Sequence, residues 1–336
     1  YVLQKINNAV FTDIDLLQHN IEAVTGHIRE KLEAAGEADI DRKVLKFIPA
    51  KETGKTYAEA DGTFWRVSVF ISDAYTYEAV TPEYSYLTGK AFGNFEAMLS
   101  DLQEPLGETI PNFHNMEFRM SQLIEAVEND KFCRIDDPEE GDGRHPIDND
   151  PDHSDEVIAM IDEIDENSIE MCKAEQMFRE GVLPKRICHC DTKVNNILFD
   201  KDGNVLCVID LDTVMPSFIF SDFGDFLRTA ACTAAEDEPD TSKISFDMEI
   251  FKSFAKGYIE SAGGFLTDME KKNLPYAACM FPFMQAVRFL ADYLNGDVYY
   301  KTKYIDHNFV RARAQMALFQ SAMEHSKEMA DYIASL

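Results

Sequence analysis

One stretch restricts the fold of this 336-residue chain more than any other: HCDTKVNNILFDKDGNVLCVIDLD, residues His189–Asp212. Ile197-Leu198-Phe199 and Val205–Ile209 are short apolar runs on either side of DKDGN, and Asp202-Gly203 between such runs is a strong hairpin signal. A hairpin folded about that turn brings the residues before Ile197 beside those after Ile209. Asn196 and Asp210 then meet at its open end, although 14 residues separate them. An ideal two-residue turn sets Asn195, not Asn196, opposite Asp210, and a longer loop shifts that register; the sequence leaves both open. An amide oxygen beside a carboxylate, with Asp191 upstream, is what magnesium-dependent phosphoryl transfer needs. Mg²⁺ takes a few hard oxygen ligands and completes its shell with water and phosphate. A separate carboxylate orients or deprotonates the attacking hydroxyl. An ordinary hairpin with solvated polar ends accounts for the same spacing.

Around this hairpin the chain reads as an α+β protein in two parts. YVLQKI at the start is a strand, and the segment Phe11–Gly36 a helix with Ile14, Leu17, Ile21, Val24 and Ile28 at helical spacing. Thr12 or Asp13 caps it and Gly36 stops it. Val44–Ala50 and Phe64–Ile71 read as further strands around the polar, hairpin-like Lys51–Thr63. These elements make a small α/β lobe over residues 1–73, and Ser72–Pro82 is a connector. Residues 74–336 are mainly helical, with helices at Glu83–Leu102, Met116–Glu128 and Ser154–Glu180, the β-rich insert, and helix again to the end. The acidic segment Asp136–Asp155, with Pro138, Pro146 and Pro151, reads as a solvated loop. No internal repeat or low-complexity linker separates the two parts, so they are expected to pack as one unit.

Acidic residues outnumber basic ones by 61 to 32, for a formal charge of −29. Between Asp136 and Glu170 there are 15 acidic residues against Arg144 alone. Such a surface repels a phosphate backbone or an anionic membrane, so neither nucleic acid nor membrane is an expected partner. No run approaches the roughly 20 apolar residues of a membrane helix, and no leader opens the chain. Seven cysteines scattered through apolar segments read as reduced thiols in a cytoplasm. A small anionic substrate needs local basic residues or a metal to offset this field. The chain opens at Tyr1 inside what reads as a strand, so upstream residues are expected. The oligomeric state is left open.

The hairpin and its flanks resemble a known family. The spacing His189-x-Asp191-x-x-x-x-Asn196, followed by Ile209-Asp210-Leu211-Asp212, resembles the catalytic and metal-binding loops of the aminoglycoside phosphotransferase family, relatives of the protein kinases. The longer strings HCDTKVNNILFD, VIDLDTVMPSFIFSDFGDFLRT and VRFLADYLNGDVYYKT are most similar to the N-acetylhexosamine 1-kinases. The resemblance spans nearly the whole chain and is densest in its C-terminal half. It implies a protein-kinase-like two-lobed fold: a partial nucleotide-binding lobe at 1–73 lacking its first strands, and a larger, mainly helical catalytic and substrate-binding lobe at 74–336. It implies ATP and Mg²⁺ as cofactors and a small-molecule sugar as substrate, with transfer to the anomeric hydroxyl of N-acetylglucosamine or N-acetylgalactosamine. The alternatives are an amino alcohol acceptor such as homoserine or choline, which an acidic surface suits, and a nucleotide-binding pseudokinase that regulates a partner.

Carried onto this sequence, the resemblance makes Asp191 the catalytic base for the substrate hydroxyl. Asn196 and Asp210 hold Mg²⁺ on the ATP phosphates, and Asp212 binds the metal directly or through water. His189 braces the loop, and Lys193 neutralises the transferring phosphoryl group. Asp222-Phe223-Gly224 spells the metal-binding triplet of protein kinases but lies 26 residues after Asn196, so Asp210 is preferred. Asp225, rather than Asp222, is expected to buttress the catalytic loop. In the small lobe, Gln4 falls where kinases place the lysine that contacts the nucleotide phosphates, and Lys5 falls one residue late. Alternate strand residues face opposite sides, so only one of the two faces the nucleotide; Glu22 would be its helix partner. The loop over the phosphates falls before Tyr1. Val69, Phe70 and Ser72, within Val69–Ala74, form the interlobe hinge against adenine. A neutral sugar needs convergent donors and aromatic surface, for which Arg288 and Tyr299 are the candidates, with Tyr300 sharing the latter role. His114 and His307 read as structural, and Cys188 and Cys190 as buried thiols without four-ligand zinc spacing.

Overall fold

The computed structural model describes residues 1–78, 80–135 and 151–336, with backbone alone for 151–153. The small lobe contains β1 (Val2–Ile6), α1 (Ile14–Ala34), α2 (Ile40–Lys43), β2 (Ala58–Ala60) and β3 (Thr63–Ser68). Its sheet has the order β1-β3-β2, antiparallel, with Gln4 directly opposite Arg66. Asp13 caps α1 by accepting the Leu16 N–H at 2.9 Å, and Gly36 at φ +70° turns the chain away. The apolar stripe Ile14, Leu17, Ile21, Val24 and Ile28 is buried, each such side chain stabilising the fold by about 1.5–3 kcal/mol. It packs with Ile6 and Val44, and also with Phe95, Leu99, Leu211 and Val214, so one apolar cluster joins the two lobes.

Val44–Ala50, expected as a strand, contributes only a bridge between Phe47 and Ser68. β2 already occupies that edge of β3 over Thr63–Trp65, leaving room for two bonds: Ile48 N–H to the Val67 carbonyl at 2.8 Å and Val69 N–H to that of Lys46 at 2.9 Å. Pro49 then removes a donor. β3 ends at Ser68, short of the expected Ile71, and irregular backbone follows.

The large lobe begins with α3 (Pro82–Leu99) and α4 (Met116–Asn129). The single helix expected over Ser154–Glu180 is two, α5 (Pro151–Met171) and α6 (Lys173–Arg179), interrupted at Cys172. α5 starts inside the segment expected as a loop, because proline is well suited to a first helical position; residues 136–150 of that segment lie outside the described residues. Next come β4 (Arg186–Cys188), β5 (Ile197–Phe199), β6 (Val205–Val208), β7 (Met215–Ser217) and α7 (Phe220–Ala230). β5 pairs with β6 as the expected hairpin, and β4 pairs with β7. The chain ends with α8 (Met248–Ala262), α9 (Asp268–Lys272), α10 (Leu274–Leu294), α11 (His307–Glu324) and α12 (Ser326–Ser335).

Helix α3 crosses α8 at backbone contact. A Cβ on Gly257 would lie 2.1 Å from the Tyr86 carbonyl oxygen, and one on Gly89 2.2 Å from that of Phe254. Helix α10 runs through the centre of the lobe, and every one of its residues is buried except Arg288. Among the described residues no helix is long and apolar enough to cross a membrane.

Candidate active site

Asp191 lies on the loop that follows β4, and each turn of that loop is tied down. The Asp222 carboxylate, in the first turn of α7, accepts the N–H groups of His189 at 2.8 Å and Cys190 at 2.7 Å. Asp225, one turn on, accepts the Thr192 N–H at 3.0 Å. The buttress expected of Asp225 alone is therefore shared, and Asp222 carries the larger part. The two carboxylates stand on one face of α7, and the loop is long enough to use both. His189 is fully buried and does brace the loop: its Nδ1 accepts the Asp191 N–H at 3.3 Å, so the proton sits on Nε2, 2.9 Å from the Ile209 carbonyl. Cys190 is held at φ +63°, a left-handed conformation that a non-glycine residue keeps only when its surroundings enforce it.

At the open end of the hairpin Ile197 stands opposite Val208, and the Ile209 N–H donates to the Asn196 carbonyl at 2.9 Å. Asn196 turns its amide back to the Asp191 carbonyl at 2.8 Å and to Asp191 Oδ2 at 3.2 Å. Lys193 Nζ lies 2.5 Å from Asp191 Oδ1. Burial works against the Lys193 charge, but the Asp191 carboxylate outweighs it and the lysine's pKa rises. Asp210 has φ +62°, and its pKa is raised, first by burial and then by the negative charges of Asp212 and Asp191. The three carboxylates are thus close enough to act on one another electrostatically.

Asn196 and Asp210 also line a cleft of about 370 Å³ between the lobes, with Val69 and Phe70 of the hinge. Of the two first-strand residues the sequence leaves open, and of the three hinge residues it names, not all reach this cleft. Gln4 lines the cleft and Lys5 does not, because strand residues alternate and Lys5 falls on the other face. Ser72 is exposed outside it, its carbonyl accepting from the Arg42 guanidinium at 3.0 Å. Glu22 is engaged by the Thr56 hydroxyl at 2.5 Å, and no ion pair joins it to Lys5 among the described residues. The cation in this cleft is one the sequence reading passed over: Arg66 of β3, 5% exposed, with Nη1 2.5 Å from Asp212 Oδ1 and Nε donating to Gln4 at 3.2 Å. Its signal is a lone charge inside FWRVSVFI, a run otherwise apolar but for Ser68.

A second cleft of about 460 Å³ is lined by Asp191 together with Arg288 and Tyr299. Arg288 Nη1 donates to Gln285 at 3.2 Å, and its guanidinium lies over the rings of Phe113, Tyr299 and Tyr300. The loop carrying the tyrosines is held by Asp292, which accepts the N–H groups of Val298, Tyr299 and Tyr300 at 2.8–3.0 Å. Asp225 and Glu236 also line the cleft, paired to Arg228 at 3.7 and 2.9 Å. Burial raises Asp225 to a pKa of about 6, against the pull of Arg228. His114, expected to be structural, lies on this wall. It stacks on Phe113 at 4.3 Å, and burial, then Arg288, hold its pKa well below the usual histidine value. His307, by contrast, is buried between the Lys303 N–H and Asp237.

Glu96, Cys188 and Asp222 bring ligand-type atoms within 4.8 Å of one another. Burial raises the Glu96 carboxyl and the Cys188 thiol well above their ordinary values, the Tyr258 hydroxyl donates to Glu96, and Asp222 is taken up by the catalytic loop. This is a hydrogen-bonded support for that loop rather than a metal centre.

A pinned loop carboxylate lining one cleft, and its hydrogen-bonded neighbour Asn196 lining an interlobe cleft with Asp210, are the arrangement of a kinase-like phosphotransferase. The fold is mixed α/β, with small sheets and a mostly helical C-terminal part. The family model described as "Phosphotransferase enzyme family" matches residues 55–247, more than half of the chain, and the chain belongs to that family. Among solved structures it is similar to an aminoglycoside phosphotransferase from Alicyclobacillus acidocaldarius, at 11% identity and TM-score 0.61 over 99% of this chain and 87% of that one. It is also similar to a Plasmodium vivax ethanolamine kinase, at 13% identity and TM-score 0.52 over 95% of this chain and 77% of the other. A putative aminoglycoside phosphotransferase from Ralstonia eutropha gives 13% identity and TM-score 0.50 over 97% and 85%.

Proposed function

We propose that this protein is an ATP- and Mg²⁺-dependent kinase whose acceptor is the anomeric hydroxyl of a neutral amino sugar, N-acetylglucosamine or N-acetylgalactosamine. The observation that carries the acceptor class is the charge of the cleft at Asp191. Arg288 has no carboxylate partner among the described residues, whereas Asp225 and Glu236 are both engaged by Arg228. A cationic amino alcohol would meet an uncompensated guanidinium where it needs an anion. A neutral sugar finds a fork of donors and the ring surfaces of Tyr299 and Tyr300.

The donor set also fits a divalent cation. Burial and mutual repulsion raise Asp210 beside Asp212 and Asp191, and a hard cation relieves that repulsion with the oxygen ligands it prefers. Asn196 and Asp210 would hold it, and bound there Mg²⁺ offsets the charge of the nucleotide phosphates. Asp191 orients the acceptor hydroxyl and takes its proton as the phosphoryl group transfers. Lys193 sets a positive charge beside those reacting groups.

Phosphorus NMR tests the reading. With ATP, Mg²⁺ and an equimolar mixture of N-acetylglucosamine, N-acetylgalactosamine, choline, ethanolamine and homoserine, the expected new signal is a sugar 1-phosphate coupled to an anomeric proton. Transfer to an amino alcohol instead would replace the acceptor, and nucleotide binding without transfer would turn the assignment to a regulator.

A further inference from the structure

We propose that Arg66, rather than a lysine of the first strand, is the side chain that grips the nucleotide phosphates, and that Asp212 holds it in place until they arrive. The inference rests on reading the interlobe cleft as the nucleotide site and goes beyond that reading by assigning its cation. The sheet itself selects the residue. Val2 and Gln4 on β1, and Arg66 and Ser68 on β3, line the cleft at every second position, which puts Lys5 on the opposite face. A cation cannot act on the phosphates from there.

Arg66 is also incompletely satisfied where it stands. Its side chain is 5% exposed, and a buried guanidinium is costly unless its donors are met. Nε has Gln4, and the ring of Phe47 lies 5.3 Å from the guanidinium carbon. Nη1 sits at ion-pair distance from Asp212 Oδ1, yet the two atoms are not aligned for a hydrogen bond, and neither has another partner. A phosphate oxygen entering the cleft supplies the missing acceptor, and the planar guanidinium matches phosphate geometry better than an ammonium does. Gln4, standing where the kinases' lysine would be, serves to aim Arg66. The kinase-type lysine–glutamate pair is not assembled, since Glu22 is occupied by Thr56. Asp212, from the large lobe, supplies the carboxylate partner instead, and the pair links the lobes.

Calorimetric titration in EDTA, with adenosine and with ATP as separate ligands, tests this apart from catalysis and from any metal. Arg66→Gln is expected to weaken ATP binding about ten- to a hundredfold while adenosine binding stays within about twofold. Lys5→Gln is expected to change neither. If Arg66→Gln does not fold by circular dichroism, Arg66→Lys decides: a point charge does not reproduce the fork, so a loss of about threefold or more for ATP alone is expected. An unchanged ratio of ATP to adenosine affinity in the arginine variants, or the loss appearing in Lys5→Gln, overturns the assignment while the nucleotide site stands. Wild-type protein that binds neither ligand removes both.

Discussion

At the scale of single residues, Asp191 is the proposed base, and its environment separates chemistry from folding. Its carboxylate is partly exposed and contacts Lys193 and Asn196, while the loop that carries it is held by other residues. Asp191→Asn should therefore cut turnover by about a hundredfold or more and leave ATP affinity and melting temperature nearly unchanged. Asp222 is the reverse case. Asp222→Ala strands the buried N–H groups of His189 and Cys190, each costing about 1–3 kcal/mol, so stability and turnover should fall together. A melting temperature equal to wild type would remove Asp222 from the buttress. Asp225 adds a pH dependence. It is buried facing Asp191, Lys193 and Arg228, and its pKa of about 6 lies above the 3.8 of an unperturbed carboxyl. The folded state thus keeps a proton that the unfolded chain has lost, and stability contributed by this group declines as pH rises from about 4 to 6. Urea unfolding at pH 5 and pH 7 should show wild type losing on the order of 1 kcal/mol relative to Asp225→Asn across that interval. Parallel behaviour of the two proteins would refute the shift.

At the scale of elements, the hairpin was legible because its signals are local: two apolar runs and an Asp-Gly turn. Asp191, Asn196 and Asp210 come together as that hairpin requires. Val44–Ala50 was misread because its role depends on how much of the β3 edge β2 leaves free, a relation between segments that no local pattern carries. The same holds for Asp222 and Asp225, which stand three residues apart on one face of α7, where sequence cannot say which meets the loop and both do. Nothing local fixes the place of Arg66, because a strand arginine is ordinarily a surface residue and only its register opposite Gln4 sets it in the cleft. The α3–α8 crossing was equally invisible, since Gly89 and Gly257 lie in helical patterns where glycine is merely tolerated. There the structure makes a strong demand. Gly257→Ala places a Cβ against the Tyr86 carbonyl, so the helices must separate, at a cost of about 1–3 kcal/mol. Thermal unfolding at or above the wild-type midpoint would show that the crossing is looser than the backbone contact implies.

At the scale of the whole molecule, the proposed nucleotide site requires a chain of charge −29 to admit a highly charged anion to the cleft between its lobes. Two fields act on that anion, and they differ in range. The repulsion is the sum of many exposed carboxylates and acts over tens of ångströms at low salt, where the screening length is about 30 Å at 0.01 M. The attraction comes from Arg66 inside the cleft and is felt only on arrival. Raising the salt to 0.15 M shortens the screening length to about 8 Å, which removes much of the long-range repulsion and leaves the buried cation less affected. Stopped-flow association of ATP in EDTA should therefore speed up several-fold between those salt concentrations, the reverse of ordinary steering of an anion into a basic site. A cation such as choline should show the opposite trend in any association it makes. An ATP association rate that falls with salt would mean that the local cations govern the approach as well as the grip, and that the acidic surface is arranged to leave the mouth of the cleft free of its field.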